Sequence, residues 1–149
     1  MKTIATIVLI CFSVLFSFAQ NPLKLTIIKG ADKPNTESEH DYLLEISNTS
    51  KTDFTFVITA NNTSCSDQKL MQQTELMQEI YNAQKSKKLN SMSIASGKTL
   101  EFYVRLTRPD NAKKNSWNCT QIKAVSGNGS AISNTITIES LIPNPKDAN

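Results

Sequence analysis

Along most of this chain, apolar and polar residues alternate with a period of two. The run "LKLTIIK" (23–29) puts Leu23, Leu25 and Ile27 on one face, and "DYLLEISN" (41–48) does the same with Tyr42, Leu44 and Ile46. "TDFTFVITA" (52–60) aligns Phe54, Phe56, Ile58 and Ala60. In "TLEFYVRLTR" (99–108), Leu100, Phe102, Val104 and Leu106 alternate with Glu101, Tyr103, Arg105 and Thr107. "NTITIES" (134–140) adds Ile136 and Ile138, with Ile132 before and Ile142 after. Such alternation, rich in β-branched and aromatic residues, predicts half-buried strands. The intervening "NTSK" (48–51), "ASGK" (95–98), "PDNAKKN" (109–115) and "SGNGS" (126–130) are turn-rich. The predicted strands are A (23–29), B (41–48), C (52–60), D (91–95), E (98–107), F (117–126) and G (131–142). Short strands separated by turns make a sandwich or barrel.

One stretch departs from this pattern. In 66–88, Leu70, Met77 and Tyr81 follow helical spacing, and Leu76, Ile80 and Ala83 widen the stripe. Ser66 suits an N-cap, Asp67 the first turn, and Lys85, Lys87 and Lys88 the last turn. The spacing predicts an amphipathic helix whose apolar stripe needs a cover, either the sandwich or a partner protein. A disordered linker is the alternative, given its Gln-rich composition.

The first residues change the setting. Lys2 precedes an apolar run from Ile4 to Phe18, and Ser17 and Ala19 occupy the −3 and −1 positions of a small-residue cleavage site. This is the layout of a signal peptide over residues 1–19. The run is shorter than the ~20 residues of a spanning helix. A lipid anchor on Cys11 lacks the small preceding residue it needs, because Ile10 stands there. The expectation is export to the periplasm, the cell surface or the medium, with residues 20–149 forming one domain. The mature part carries no second long apolar run, so no transmembrane segment is expected in it. The formal charge of +3, lowered by one without Lys2, is too small to argue for nucleic acid. Sequons at Asn48, Asn62 and Asn118 matter only in a eukaryotic secretory pathway.

Two cysteines then remain, Cys65 and Cys119. In an oxidising compartment such a pair is expected to bridge; two free thiols or a reactive thiol are the alternatives. His40, the single histidine, follows Glu37 and Glu39 and precedes Asp41, a set that would interest a metal but reads equally as a solvated loop. Dinucleotide, complete phosphate-loop, zinc-protease and nucleophile-elbow motifs are absent from the sequence. Glu75 and Glu79 are expected on a solvated helix face, and Glu101 and Glu139 on outward strand faces. No catalytic residue, cofactor or metal site is expected. Trp117, Arg108, Lys113 and Lys114 are the candidate ligand surface, with Met77 and Tyr81 of the predicted helix as a candidate partner surface.

The stretches "YLLEISNTSKTDFTFVITA", "SIASGKTLEFYVRLTRP" and "IKAVSGNGSAISNTITI" resemble the bacterial immunoglobulin-like β-sandwich domains appended to secreted glycosidases and cell-surface proteins. The matching positions are Asn48, Phe54, Phe56, Gly97, Pro109, Ala124 and Ser126, over residues 42–142. The resemblance implies an accessory role outside the cytoplasm and no catalytic residue. A stand-alone chain and a helical insert depart from that family. The expected fold is all-β: an immunoglobulin-like antiparallel β-sandwich of about seven strands with one helical insertion between strands C and D. In that topology C and F are antiparallel neighbours. Cys65 follows C and Cys119 opens F, so a bridge fits. Parity places Cys119 and Trp117 opposite the inward Ile122 and Ala124, so either a bulge intervenes or the bridge lies outside the core. The expected function is a non-catalytic module for binding or structural support at the cell envelope, meeting an envelope protein or glycan. A small envelope enzyme or enzyme inhibitor is the alternative, and a structural subunit of a surface assembly is a third reading.

Overall fold

A computed structural model describes residues 21–66 and 72–144. The expected signal peptide, its cleavage site and Cys11 lie outside the described residues, as do Asp67, Leu70 and Met71. Eight strands are described: β1 (Leu23–Lys29), β2 (Glu39–Asn48), β3 (Phe54–Thr63), β4 (Met77–Asn82), β5 (Met92–Ile94), β6 (Thr99–Thr107), β7 (Ser116–Val125) and β8 (Ile136–Ile142). They form two four-stranded antiparallel sheets, ordered β1-β2-β6-β4 and β5-β3-β7-β8. Predicted strands C, F and G do share a sheet, as β3, β7 and β8. No helix among the described residues is long and apolar enough to cross a membrane.

The alternation read from the sequence builds the core. Tyr42, Leu44 and Ile46 of β2 and Phe102, Val104 and Leu106 of β6 are buried, facing Phe56 and Ile58 of β3 and Ile122 and Ala124 of β7. Fully burying a side chain such as Phe56 or Phe102 stabilises by about 1.5–3 kcal/mol. The tight ends hold as well. The Asn48 side chain accepts from the Ser50 backbone N–H (3.0 Å) and donates to the Thr52 carbonyl (2.7 Å), closing the β2–β3 turn. Gly97 turns β5 into β6 at φ 67°, where a Cβ would be strained. In β1 the pattern fails at its end. The register shifts between Ile27 and Lys29, and Ile27 and Ile28 are exposed.

Among the described residues the helical insertion is not present. Residues 77–82 are instead a strand, paired antiparallel with β6 in the register Met77↔Thr107, Ile80↔Val104 and Asn82↔Phe102. A spacing of four residues keeps two side chains on one face of a strand as well as of a helix. The pairs Leu76/Ile80 and Met77/Tyr81 are therefore compatible with both. What hid the strand is its polarity. The inward-parity positions hold Gln78, Ile80 and Asn82, and the outward ones Met77, Glu79 and Tyr81. Predicted strand D shrinks to Met92–Ile94, and it pairs with β3 in the second sheet.

Candidate functional site

The chain between β3 and β4 is governed by the disulfide. Cys65 and Cys119 are bridged with a Cα–Cα distance of 5.3 Å across 54 residues of sequence, and both are buried. The β7 ladders run from Ser116 to Val125 without a shift, so no bulge turns Cys119 inward. The bridge lies on the outer side of the second sheet, outside the core. Beyond Cys65 the chain returns beside the start of β7, in the lane that β3 has vacated. The Trp117 N–H donates to the Gln72 carbonyl (2.9 Å), and the Thr74 N–H donates to the Trp117 carbonyl (3.0 Å).

Beneath this loop the interior is polar. The Asn62 Oδ1 accepts from Asn118 Nδ2 (2.7 Å), Gln78 Nε2 (2.8 Å) and the Leu76 N–H (3.2 Å). Asn62 Nδ2 donates to the Leu76 carbonyl (3.0 Å), and Thr120 Oγ1 donates to Asn118 Oδ1 (2.8 Å). Buried amides satisfied this way fix one geometry, because each lost partner would leave a desolvated polar group. The knot ties β3 and β7 to the segment entering β4, and so carries the chain from one sheet to the other. Two sequon asparagines are thereby engaged, Asn62 half-buried and Asn118 buried, and Asn48 is buried as well.

The outer face of the first sheet holds a charge network. Arg105 of β6 stands opposite Asp41 of β2 and donates to it through Nε (2.8 Å) and NH2 (3.1 Å). Lys85, from the turn after β4, reaches the same carboxylate at 2.6 Å and Asp32 at 3.4 Å. The Asp41 side chain is only 5% exposed. Lys85 also lies 4.3 Å from the Tyr103 ring centre, and the Arg105 guanidinium 4.7 Å from that of Tyr81. Burial pushes the Asp41 carboxyl up, but the hydrogen bonds and charges of Arg105 and Lys85 outweigh it and leave it below the ordinary carboxylate value. Asp32 is likewise raised by burial and lowered further by the Asp41 N–H and Lys85, for a net fall. Its bond to Asp41 raises Lys85. Each shift holds the group in its charged state.

The predicted site residues do not converge. Tyr81 and Met77 lie on β4, with Tyr81 donating to Glu79 Oε2 (2.8 Å) and Met77 55% exposed. Glu79 is on a strand facing Arg105 and pairs with Lys88; it does not share a helix face with Glu75. Trp117 is half-buried on the opposite sheet. Arg108 and Lys114 line a cleft of about 230 Å³ at the end of the sandwich, between the β6–β7 connector and the end of β8. Lys113 lines an adjoining groove with Gln73 and Thr74. The set around His40 is split by β2. Asp41 turns outward, whereas His40 stands opposite the buried Leu106 and is itself 8% exposed. By sequence alone His40 reads as a metal candidate or as part of a solvated loop, although its parity with Tyr42, Leu44 and Ile46 points inward.

The two sheets and their order define a β-sandwich. No protein-family model matches this sequence, and no curated protein matches it significantly. Solved structures do match in shape. A FixG-related protein from Vibrio parahaemolyticus is similar at a TM-score of 0.51 and 13% identity, over 83% of this chain and 97% of that one. The apo PmoF2 PCuAC domain aligns at 0.45 and 8% identity, over 83% and 91%. A PapD-like domain of human CEP192 aligns at 0.41 and 8%, over 84% and 88%. At 13% identity the likeness to the FixG-related protein is one of fold alone.

Proposed function

We propose that this protein is an exported, non-catalytic immunoglobulin-like module that binds or supports a protein or glycan of the cell envelope. The observation that carries this reading is the Cys65–Cys119 bridge. It lies outside the core and clasps a long connection, the use of a disulfide expected in an oxidising compartment. The strand order supports it: β1-β2-β6-β4 and β5-β3-β7-β8 match the ABED and CFG sheets of immunoglobulin domains, with the short β5 added at the edge beside β3.

The test is fractionation of the source cell with thiol alkylation before lysis. The mature chain is expected outside the cytoplasm, processed near Ala19, with Cys65 and Cys119 protected until reduction, and co-purifying with an envelope component. A cytoplasmic chain with two freely alkylated thiols would falsify the reading. Turnover of an envelope substrate by the purified chain would replace it with the enzyme alternative.

A further inference from the structure

The end of the sandwich holds a buried ring nitrogen with no partner among the described residues. His40 Nε2 lies 3.1 Å from the Glu37 carbonyl. A carbonyl only accepts, so Nε2 carries the proton, and in the neutral ring Nδ1 offers a lone pair. That Nδ1 is buried without a hydrogen-bond partner. A bound water or a ligand hydroxyl would satisfy it. His40 lines a cavity of about 10 Å³, room for a single water or hydroxyl oxygen. Ser38, Arg108 and Ile142 line both this cavity and the 230 Å³ cleft outside it, so the two form one funnel.

The outer cleft selects the chemistry. Arg108 and Lys114 offer positive charge, and Asp110 beside them offers an acceptor. Pro109, Ala112, Ile142 and Pro143 supply apolar surface. A bare anion suits the two cations but is repelled by Asp110 and brings no donor for His40. A neutral sugar satisfies Asp110 and His40 but leaves the cations unused. The geometry points to a site for one acidic sugar residue, a uronate, with its carboxylate at Arg108 and Lys114. One hydroxyl donates to Asp110, another to His40 Nδ1, and the ring's C–H face lies on the prolines. The cleft is smaller than sites for drug-sized ligands, which suits a single ring at a glycan chain end. This inference rests on the binding-module reading above and names the ligand class.

His40 is the sole histidine, so its ring nitrogens give unambiguous NMR signals. The mature chain is titrated with D-glucuronate, glucose, acetate and inorganic phosphate, following the imidazole 15N resonances. Glucuronate is expected to move the Nδ1 signal saturably, with glucose and acetate at least about tenfold weaker, as loss of one charge-assisted contact predicts. Arg108→Gln should weaken glucuronate by about the same factor. Because Arg108 also donates to the Thr36 carbonyl, the exposed Lys114→Gln serves as a second variant, expected to weaken binding with an unchanged thermal midpoint. Phosphate binding as tight as glucuronate overturns the sugar assignment. An Nδ1 signal indifferent to all four probes means that water alone serves it, and overturns the site. If glucuronate fails while envelope co-purification persists, the module reading stands and this one falls.

Discussion

Strand β4 is held at its two ends by different chemistry. Before it, the chain is clasped by the Cys65–Cys119 bridge and the Asn62–Asn118 knot on the second sheet. After it, the turn carrying Lys85 is pinned to Asp41 and Asp32 on the outer face of the first. The first device is covalent and indifferent to pH. The second is ionic, and its charges must remain. β4 needs both, because its own apolar contribution is thin: among its core-parity positions only Ile80 is hydrophobic. An edge strand with so little to bury is placed by what grips its ends. The turn also protects the sheet edge, since the Leu89 N–H donates to the Ile80 carbonyl (2.9 Å) and the Asn82 N–H to the Lys87 carbonyl (3.0 Å).

The covalent end should matter most. Closing a loop of this length contributes about 4 kcal/mol in the chain-entropy picture. Replacing both cysteines by Ala is expected to lower the thermal midpoint by on the order of 10 °C, read by circular dichroism. A midpoint unchanged by the double substitution would show that the knot alone places the loop. The ionic end comes next. Asp41→Asn leaves Arg105 and Lys85, partly exposed and still near Glu39 and Asp32, facing a neutral amide, and should cost about 2 kcal/mol in urea unfolding. A loss as large as that of the cysteine pair would make the two ends equal.

How much of this the sequence discloses follows from the same contrast. β6 and the central stretches of β2, β3 and β7 keep apolar parity, and their inward residues Leu44, Phe56, Val104 and Ile122 were readable as core. β4 was not, because Gln78 and Asn82 occupy inward-parity positions; Gln78 is satisfied by Asn62 from β3, and Asn82 by the backbone of the turn that follows it. The disulfide was readable from the expected export and the topology; parity left either a bulge or a bridge outside the core, and the unshifted β7 ladders decide for the second. The Asp41 network was hidden. Its members come from the β1–β2 loop, two neighbouring strands and a turn, and no local pattern links Asp32, Asp41, Lys85 and Arg105. Of the proposed ligand cleft, the sequence marked Arg108 and Lys114; His40 needed only its strand parity extended by one step.

Acid should separate the two ends further. Asp41 and Asp32 titrate below their ordinary values when folded. Their contribution is therefore complete above the unfolded carboxylate pKa of about 3.9 and is lost as pH falls through the lower folded values. Unfolding midpoints between pH 2 and 6 should be flat at the upper end and fall below pH ~4, and Asp41→Asn should flatten that fall. The bridge should keep its effect across the range. A variant that loses stability in acid as steeply as the parent would mean that other carboxylates carry the dependence.

The smallest effects come from two lysines three residues apart. Each pairs with a carboxylate, Lys85 with Asp41 and Lys88 with Glu79, and each lies over a tyrosine ring. Their surroundings differ. Asp41 is 5% exposed, whereas the Lys88 side chain is 61% exposed and its partner 34%. Water screens the outer pair, and the entropy of holding a long side chain offsets most of what remains. Lys85→Ala is expected to cost about 1 kcal/mol, and Lys88→Ala to leave the urea midpoint unchanged within error. Lys85 adds a backbone contribution, because it sits at φ 56°, in the left-handed region that disfavours a Cβ. Lys85→Gly should therefore be less damaging than Lys85→Ala, with the difference measuring the strain and the remainder the charge. Equal losses for Lys85→Ala and Lys88→Ala would show that burial of Asp41 is not what strengthens the ionic end. In that case β4 is held after Asn82 by the turn's own hydrogen bonds, Asn82 Oδ1 accepting from the Ser86 and Lys87 N–H groups at 2.9 and 3.1 Å.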